Sequence, residues 1–295
     1  MNDRILITGV SGMLGAALAR LLSGDFVCTG ISRLKPALHM CEWLEADLLD
    51  LRQTSVVVNN VKPDIVIHCA AMTNVDACER DPEAARRLHV GATDVLADYC
   101  AKTNAHMIYI STDSVFNGAK QGAYTEMDAT GPLNVYGATK LEGEKSVLSL
   151  ASGLVLRTNI FGWRPGRHDS FAEWVLRSLR EQTPLTMFTD VMYTPIGTEL
   201  LGQVVSKCVE ENVVGLFHAG GGENLSKHEF ALQVADAFGL SVDPIVPIRV
   251  EDKPLAAPRP RNMALDNSRL ENRLGMAMPK VSDSIRAWKN TESTY

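Results

Sequence analysis

The sequence predicts an α/β fold, a doubly wound parallel sheet with a smaller mixed α/β lobe at its C-terminal side. Three observations lead there. Short apolar runs rich in β-branched residues alternate with longer amphipathic segments through the first 160 residues. DIVIHCA (64–70) and HMIYIST (106–112) are apolar and β-branched, as strands buried on both faces should be. A glycine-rich turn joins the first run to the first amphipathic segment. Strand, helix and strand repeated in this order build a parallel sheet with helices on both faces.

The elements follow in chain order. RILITG (4–9) is the first strand and MLGAALARLLSG (13–24) the first helix, closed by Gly24. FVCTGIS (26–32), EWLEAD (42–47), DIVIHCA (64–70) and HMIYIST (106–112) supply strands two to five, with a helix over 81–103 before the fifth. GLVLRT (153–158) is the sixth. Beyond residue 160 a Gly/Pro/Arg loop leads into helices over 171–182 and 197–211, and GLFHAGGG reads as a strand with a glycine-rich exit. Ser226 and Glu229 stand at capping-box spacing before a helix that stops at Gly239. The chain therefore divides into a dinucleotide-binding domain over 1–160 and a substrate-binding lobe over 161–295. Residues 212–222 are expected to return a strand to the main sheet.

Composition narrows the function. A net charge of −6 and a pI near 5.7 argue against a nucleic-acid surface. No stretch approaches the roughly 20 apolar residues a membrane span needs. The N-terminal apolar run is too brief for a signal peptide. The six cysteines (28, 41, 69, 78, 100 and 208) form no CxxC pair and no metal-ligand spacing. Reduced thiols in a cytoplasmic protein without a metal are expected.

The chemistry begins at TGVSGMLG, residues 8–15. Gly9, Gly12 and Gly15 allow a tight turn, close backbone approach and tight helix–sheet packing, with the helix N-terminus facing a pyrophosphate. A carboxylate at the end of the second strand would favour NAD(H) by holding the ribose 2′-hydroxyl. Ser32 and Arg33 stand there instead, with Lys35 nearby. A hydroxyl and a guanidinium suit a 2′-phosphate, so NADP(H) is the expected cofactor and NAD(H) a lesser one. Asp47 ends the third strand, where it can accept from an adenine amino group or cap its own loop. Thr112 ends the fifth strand, at the carboxyl edge where ligands bind in such sheets. In PLNVYGATKLEGEK (132–145), Tyr136 and Lys140 stand at i and i+4 on a helix, roughly 6 Å apart. An ammonium there should lower the phenol from about 10 and ready it for proton transfer.

Together, TGxxGxxG, a Thr closing the fifth strand and YxxxK on the next helix resemble the extended short-chain dehydrogenase/reductase family. AAMTNVDACERDPEAA (70–85), ISTDSVFNG (110–118), PLNVYGATKLEGE (132–144) and RPRNMALDNSRLENRLG (259–275) are similar, more narrowly, to dTDP-4-dehydrorhamnose reductases. The resemblance implies reduction of a 4-keto nucleotide-sugar, with Thr112, Tyr136 and Lys140 catalytic. Tyr136 would donate the proton, and Lys140 would hold the nicotinamide ribose. It further implies cofactor contacts at Ser11, Met13, Leu14, Leu48, Cys69, Ala70 and Ala71. Substrate contacts are implied at Thr73, Asn74, Asp76, Thr112, Asp113 and Arg259, the last as a guanidinium for the diphosphate. A homodimer is left open.

Two departures from the family pattern stand out. His89 occupies a position that is commonly Asn, and RTNIFGWRPG (157–166) puts Asn159, Phe161 and Trp163 where an RTSWVYG-like segment is expected. Of three rivals the first falls, and the 4-epimerase and a non-catalytic regulatory subunit stay as alternatives. A related dehydratase needs a Glu after the Asp that follows Thr112, but Ser114 follows Asp113. A 4-epimerase usually shows an acid after the second strand. The regulatory subunit of methionine adenosyltransferase shares this likeness and acts as a partner, since fold does not set function.

Overall fold

The computed structural model describes residues 3–38, 40–165, 169–252 and 260–294. Its central sheet contains β1 (Arg4–Thr8), β2 (Val27–Ser32), β3 (Glu42–Glu45), β4 (Ile65–His68), β5 (His106–Thr112), β6 (Gly153–Thr158) and the strand Gly215–His218. The order across the sheet is Gly215–His218, β6, β5, β4, β1, β2, β3, and every pairing is parallel. The direction of winding reverses between β1 and β4, which opens a crevice at the carboxyl edge.

β4 and β5 are buried along their whole length, as expected, whereas the edge strand β3 is only half-buried. Ile5, Ile7, Ile67 and Ile108 pack beneath α1 (Met13–Leu22) and α8 (Thr198–Glu210). Leu6, Val66, Met107 and Val155 pack on the opposite side with α2 (Leu51–Val61), α5 (Ala92–Thr103) and α6 (Val135–Leu148). A third body of core forms around Phe161, Tyr193, Phe230 and Trp288, between α7 (Phe171–Arg180), α9 (Lys227–Phe238) and α11 (Val281–Asn290). Capping boxes open both α7 and α9, the second from Ser226 and Glu229. Short two-residue and four-residue strand pairs join these helices. At that length they leave no periodic trace in the sequence.

The helix expected over 81–103 is interrupted. It runs as α4 (Pro82–Arg86), a π turn over Arg87–Gly91, then α5. The extra residue in the wide turn shifts the side-chain register and buries His89 completely. The first helix also stops at Leu22, before Gly24, where the Ser23 hydroxyl donates back to the Ala19 carbonyl.

Candidate active site

The turn after β1 depends on absent side chains. Gly9 has φ +68°, and a Cβ there would sit 2.9 Å from the Ala70 Cα. A Cβ on Gly15 would lie 2.3 Å from the Gly9 carbonyl oxygen, so α1 could not pack where it does. Gly12 caps α1 without a side-chain hydrogen bond, which leaves the helix N-terminus open toward the crevice. Ser11, Gly12 and Met13 are half-buried there, whereas Leu14 and Gly15 turn into the core. This cradle fits a dinucleotide pyrophosphate.

The rim at β2 differs from expectation in one respect. Ser32 is buried, donates its proton to the Leu34 carbonyl at 2.6 Å and accepts from the Trp43 indole at 3.1 Å. Its donor is therefore occupied by the loop itself. Arg33 is exposed and makes no hydrogen bond or ion pair with the described residues. Asp47 is half-buried and accepts from the Leu49 amide at 3.0 Å, the loop-cap arrangement, and Leu48 lies in the core.

At the exit of β4 the Thr8 hydroxyl accepts from the amides of Cys69 and Ala70, each at 3.1 Å. Its own proton then goes to His68 Nδ1 at 2.6 Å. His68 Nε2 carries the ring proton and has no partner among the described residues. Burial holds this imidazole neutral, pushed down to about 3, with the Lys140 charge adding to the effect. Cys69, Ala70 and Ala71 are half-buried beside the turn. Thr73 is exposed, Asn74 caps α3 (Val75–Arg80) by accepting from Ala77, and Asp76 lies in its first turn.

β5 and α6 bring Thr112, Tyr136 and Lys140 together. Asn134 starts α6 by accepting from the Gly137 amide at 2.9 Å, which sets the phase of Tyr136. Thr112 is buried at the end of β5 and hydrogen-bonds the half-buried Tyr136 phenol. Lys140 is buried one turn further on, its Nζ 3.7 Å above the Tyr109 ring. The phenol is not lowered as the spacing suggested. Burial pushes Tyr136 up to about 12 against its hydrogen bond with Thr112. The reason is desolvation of the phenol itself, to which the Asp113 charge adds; burial likewise pushes Lys140 down to about 7.

His89 sits edge-on to Tyr136, with ring centroids 5.7 Å apart. Its Nε2 accepts from the Met72 amide at 2.9 Å, so Nδ1 bears the proton and donates to Thr139 Oγ1 at 2.8 Å. One imidazole thus ties the β4 exit to α6. Burial and the nearby Lys140 push it down to about 2.

The C-terminal side of the crevice holds a second polar group. Asp113 is buried and accepts from the Asn159 amide at 2.6 Å, and from the hydroxyls of Thr112 at 3.2 Å and Ser114 at 3.3 Å. Lys227 opens α9, with Nζ 3.3 Å over Tyr193 and 4.5 Å over Phe171. Burial raises Asp113 and lowers Lys227, and each charge opposes the shift of the other. Lys227 and Tyr193 carry no motif in the sequence that would single them out, whereas Asn159 stands in the segment that departs from the family pattern. Phe161 and Trp163 belong to the third core, where Trp163 donates to the Trp288 carbonyl at 2.8 Å. Arg259 lies outside the described residues.

The RmlD substrate binding domain profile matches residues 3–292. Methionine adenosyltransferase 2 subunit beta of Rattus norvegicus is 34% identical over 293 residues, covering 92% of this chain and 82% of the relative. The dTDP-4-dehydrorhamnose reductase of Aggregatibacter actinomycetemcomitans is 30% identical over 300 residues, covering 97% of each. Among solved structures, dTDP-4-dehydrorhamnose reductase from Bacillus anthracis in complex with NADP superposes with a TM-score of 0.87 at 26% identity, covering 98% of this chain and 99% of that one.

Proposed function

Because the chain belongs to the RmlD substrate binding domain family, of the extended short-chain dehydrogenase/reductase type, we propose that it reduces a 4-keto nucleotide-sugar with NADPH. The observation that carries this is the meeting of Thr112, Tyr136 and Lys140 at the carboxyl edge, beside a turn that leaves no room for a Cβ at Gly9 or Gly15. Gly9, Gly12, Gly15 and the N-terminus of α1 would hold the pyrophosphate, and Arg33 the 2′-phosphate. When bound, the nicotinamide supplies the hydride. Tyr136 gives its proton to the carbonyl oxygen as negative charge grows there, and Thr112 would turn its hydroxyl from Asp113 to donate to the same oxygen. Lys140 holds the ribose and offsets the phenolate left behind. Thr73, Asn74, Asp76, Asp113 and Arg259 are assigned to the sugar and diphosphate. The direct test follows NADPH oxidation with dTDP-4-dehydrorhamnose. No turnover with this or any other 4-keto nucleotide-sugar would remove the reading.

The identity to a methionine adenosyltransferase subunit favours a second reading, an NADP-binding partner of another enzyme. It predicts a stable complex with a methionine adenosyltransferase catalytic chain in gel filtration and no sugar turnover. Joint observation of turnover and no complex would dismiss it.

A further inference from the structure

We propose that Tyr109 seats the side chain of Lys140, its ring face serving as the partner of the ammonium inside the protein, and so acts as a positioning residue for the reduction. The inference rests on the reductase reading, and within it Tyr109 sets the pH range over which Lys140 stays charged.

Lys140 is buried on α6, and its ammonium has no ion-pair or hydrogen-bond partner among the described residues. Its Nζ lies 3.7 Å from the centroid of the Tyr109 ring instead. The face of an aromatic ring carries negative charge density, and a cation drawn out of water gains most from it. Tyr109 stands in the middle of β5 with no exposed surface. Three features hold its ring in place. Its hydroxyl reaches the carbonyls of His89 at 3.3 Å and Lys140 at 3.4 Å, which ties β5 to the π turn and to α6. Gly143, one turn along α6, makes room for that hydroxyl, since a Cβ there would stand 2.7 Å from it. The His68 ring lies alongside, with centroids 5.6 Å apart. Burial holds the phenol well above its ordinary 10, so Tyr109 stays neutral and acts through its face rather than as a phenolate.

The other groups around the ammonium leave this part to the ring. Glu144 on α6 favours the charged lysine from one turn away, but its carboxylate is committed to Arg157 and Ser111. Cys69 at the β4 exit stays a thiol, pushed up to about 12. His68 on β4 and His89 on the π turn are neutral imidazoles, and Tyr136 is a neutral phenol. The ring of Tyr109 is therefore the direct contact that offsets desolvation. Without it, burial would favour the free amine, and Lys140 would lose at lower pH the charge that offsets the Tyr136 phenolate.

The experiment compares Tyr109→Phe with fluorinated phenylalanines placed at position 109. Phe keeps the face and drops the hydroxyl. Full fluorination reverses the charge of the face at nearly the same size, and a single fluorine weakens it. The ε-amine of Lys140 is titrated by NMR with isotope-labelled lysine, its signal assigned by its loss in Lys140→Met. Melting curves accompany each variant, and kcat is followed against pH with NADPH and dTDP-4-dehydrorhamnose. Tyr109→Phe should leave the lysine midpoint within about 0.3 pH unit, since the face is kept. The fully fluorinated ring should lower the midpoint by about one pH unit or more, the size of a desolvated cation–π contact. The alkaline limb of kcat should move with it. The singly fluorinated ring should shift both the same way by less, which keeps the test intact if the fully fluorinated chain does not fold. An equal midpoint in all variants would reduce Tyr109 to packing and overturn the seat. An equal shift in all of them would credit the hydroxyl and overturn it too. A shifted midpoint with an unmoved kcat profile would overturn its part in the reduction. A shifted midpoint in a protein that turns over no 4-keto nucleotide-sugar would instead remove the reductase reading and leave the seat of Lys140 standing.

Discussion

In the proposed reaction Tyr136 gives up one proton, and Phe at that position keeps the ring against His89 while removing that proton. Tyr136→Phe should cut turnover by about 10²–10⁴-fold, the usual worth of a general acid. The melting temperature should barely move. A variant that melts normally and reduces substrate at the original rate would clear Tyr136 of the role. Arg33 is the exposed guanidinium at the end of β2, and its neighbour Ser32 has already given its proton to Leu34. Arg33→Ala should cost about 1.5–3 kcal/mol of NADPH affinity, as for hydrogen bonds to charged groups. NADH affinity should stay level, and fluorescence titration of both cofactors would expose equal losses. At this scale the residue types and their spacing were legible. Their protonation was not, because desolvation depends on everything packed around a group.

The element that decides the site is α6, anchored from beneath. Arg157 on β6 donates to Glu144 of α6 through Nε at 3.0 Å and through the terminal nitrogen at 2.8 Å, and the Ser111 hydroxyl donates to the same carboxylate. Both charged side chains are buried. Glu144 stands one turn beyond Lys140, so this anchor also fixes the lysine. Glu144→Gln should destabilise by about 3–5 kcal/mol, because it strands a buried guanidinium. Denaturant unfolding measures this, and a loss below about 1 kcal/mol would mean that Arg157 finds another partner. The cradle is tested at Gly15, where Ala would meet the Gly9 carbonyl. Gly15→Ala should lower NADPH affinity by displacing α1, and an unchanged titration would show that the helix can shift without cost. The first six strands of the main sheet were legible within two residues, and the seventh, expected within 212–222, spans only Gly215–His218. The π turn was not, since Arg87–Gly91 reads as ordinary helix until packing draws His89 inward.

For the whole molecule, buried imidazoles set the response to acid. Burial pushes His68 to about 3, His89 to about 2 and His218 to about 4. In the unfolded chain each titrates near 6.5. Below that pH the unfolded state binds protons that the folded state refuses. The stability is complete above about 6.5 and is lost as pH falls toward the folded values. Each group contributes about 1.4 kcal/mol per pH unit over that interval. Asp113, raised by burial, opposes them as a single group. The melting temperature should therefore drop steeply from pH 7 to pH 5. A flat profile across that range would require these rings to be solvated or charged in the fold.

The sequence by itself determined the parallel sheet, the glycine turn after β1, the Thr at the end of β5 and the Tyr–Lys pair on α6. Each of these is written in a local pattern: an apolar run, a missing side chain, a residue at a strand end, an interval of four on a helix. Only the tertiary structure decided which residues face one another across the crevice. Asp113 and Lys227 are 114 positions apart in the chain, and the fold brings them near enough for each charge to oppose the other's shift. His89 joins Met72 to Thr139 for the same reason. Contacts of this kind arise from how separate elements bury their apolar faces, and no short window of sequence encodes that arrangement.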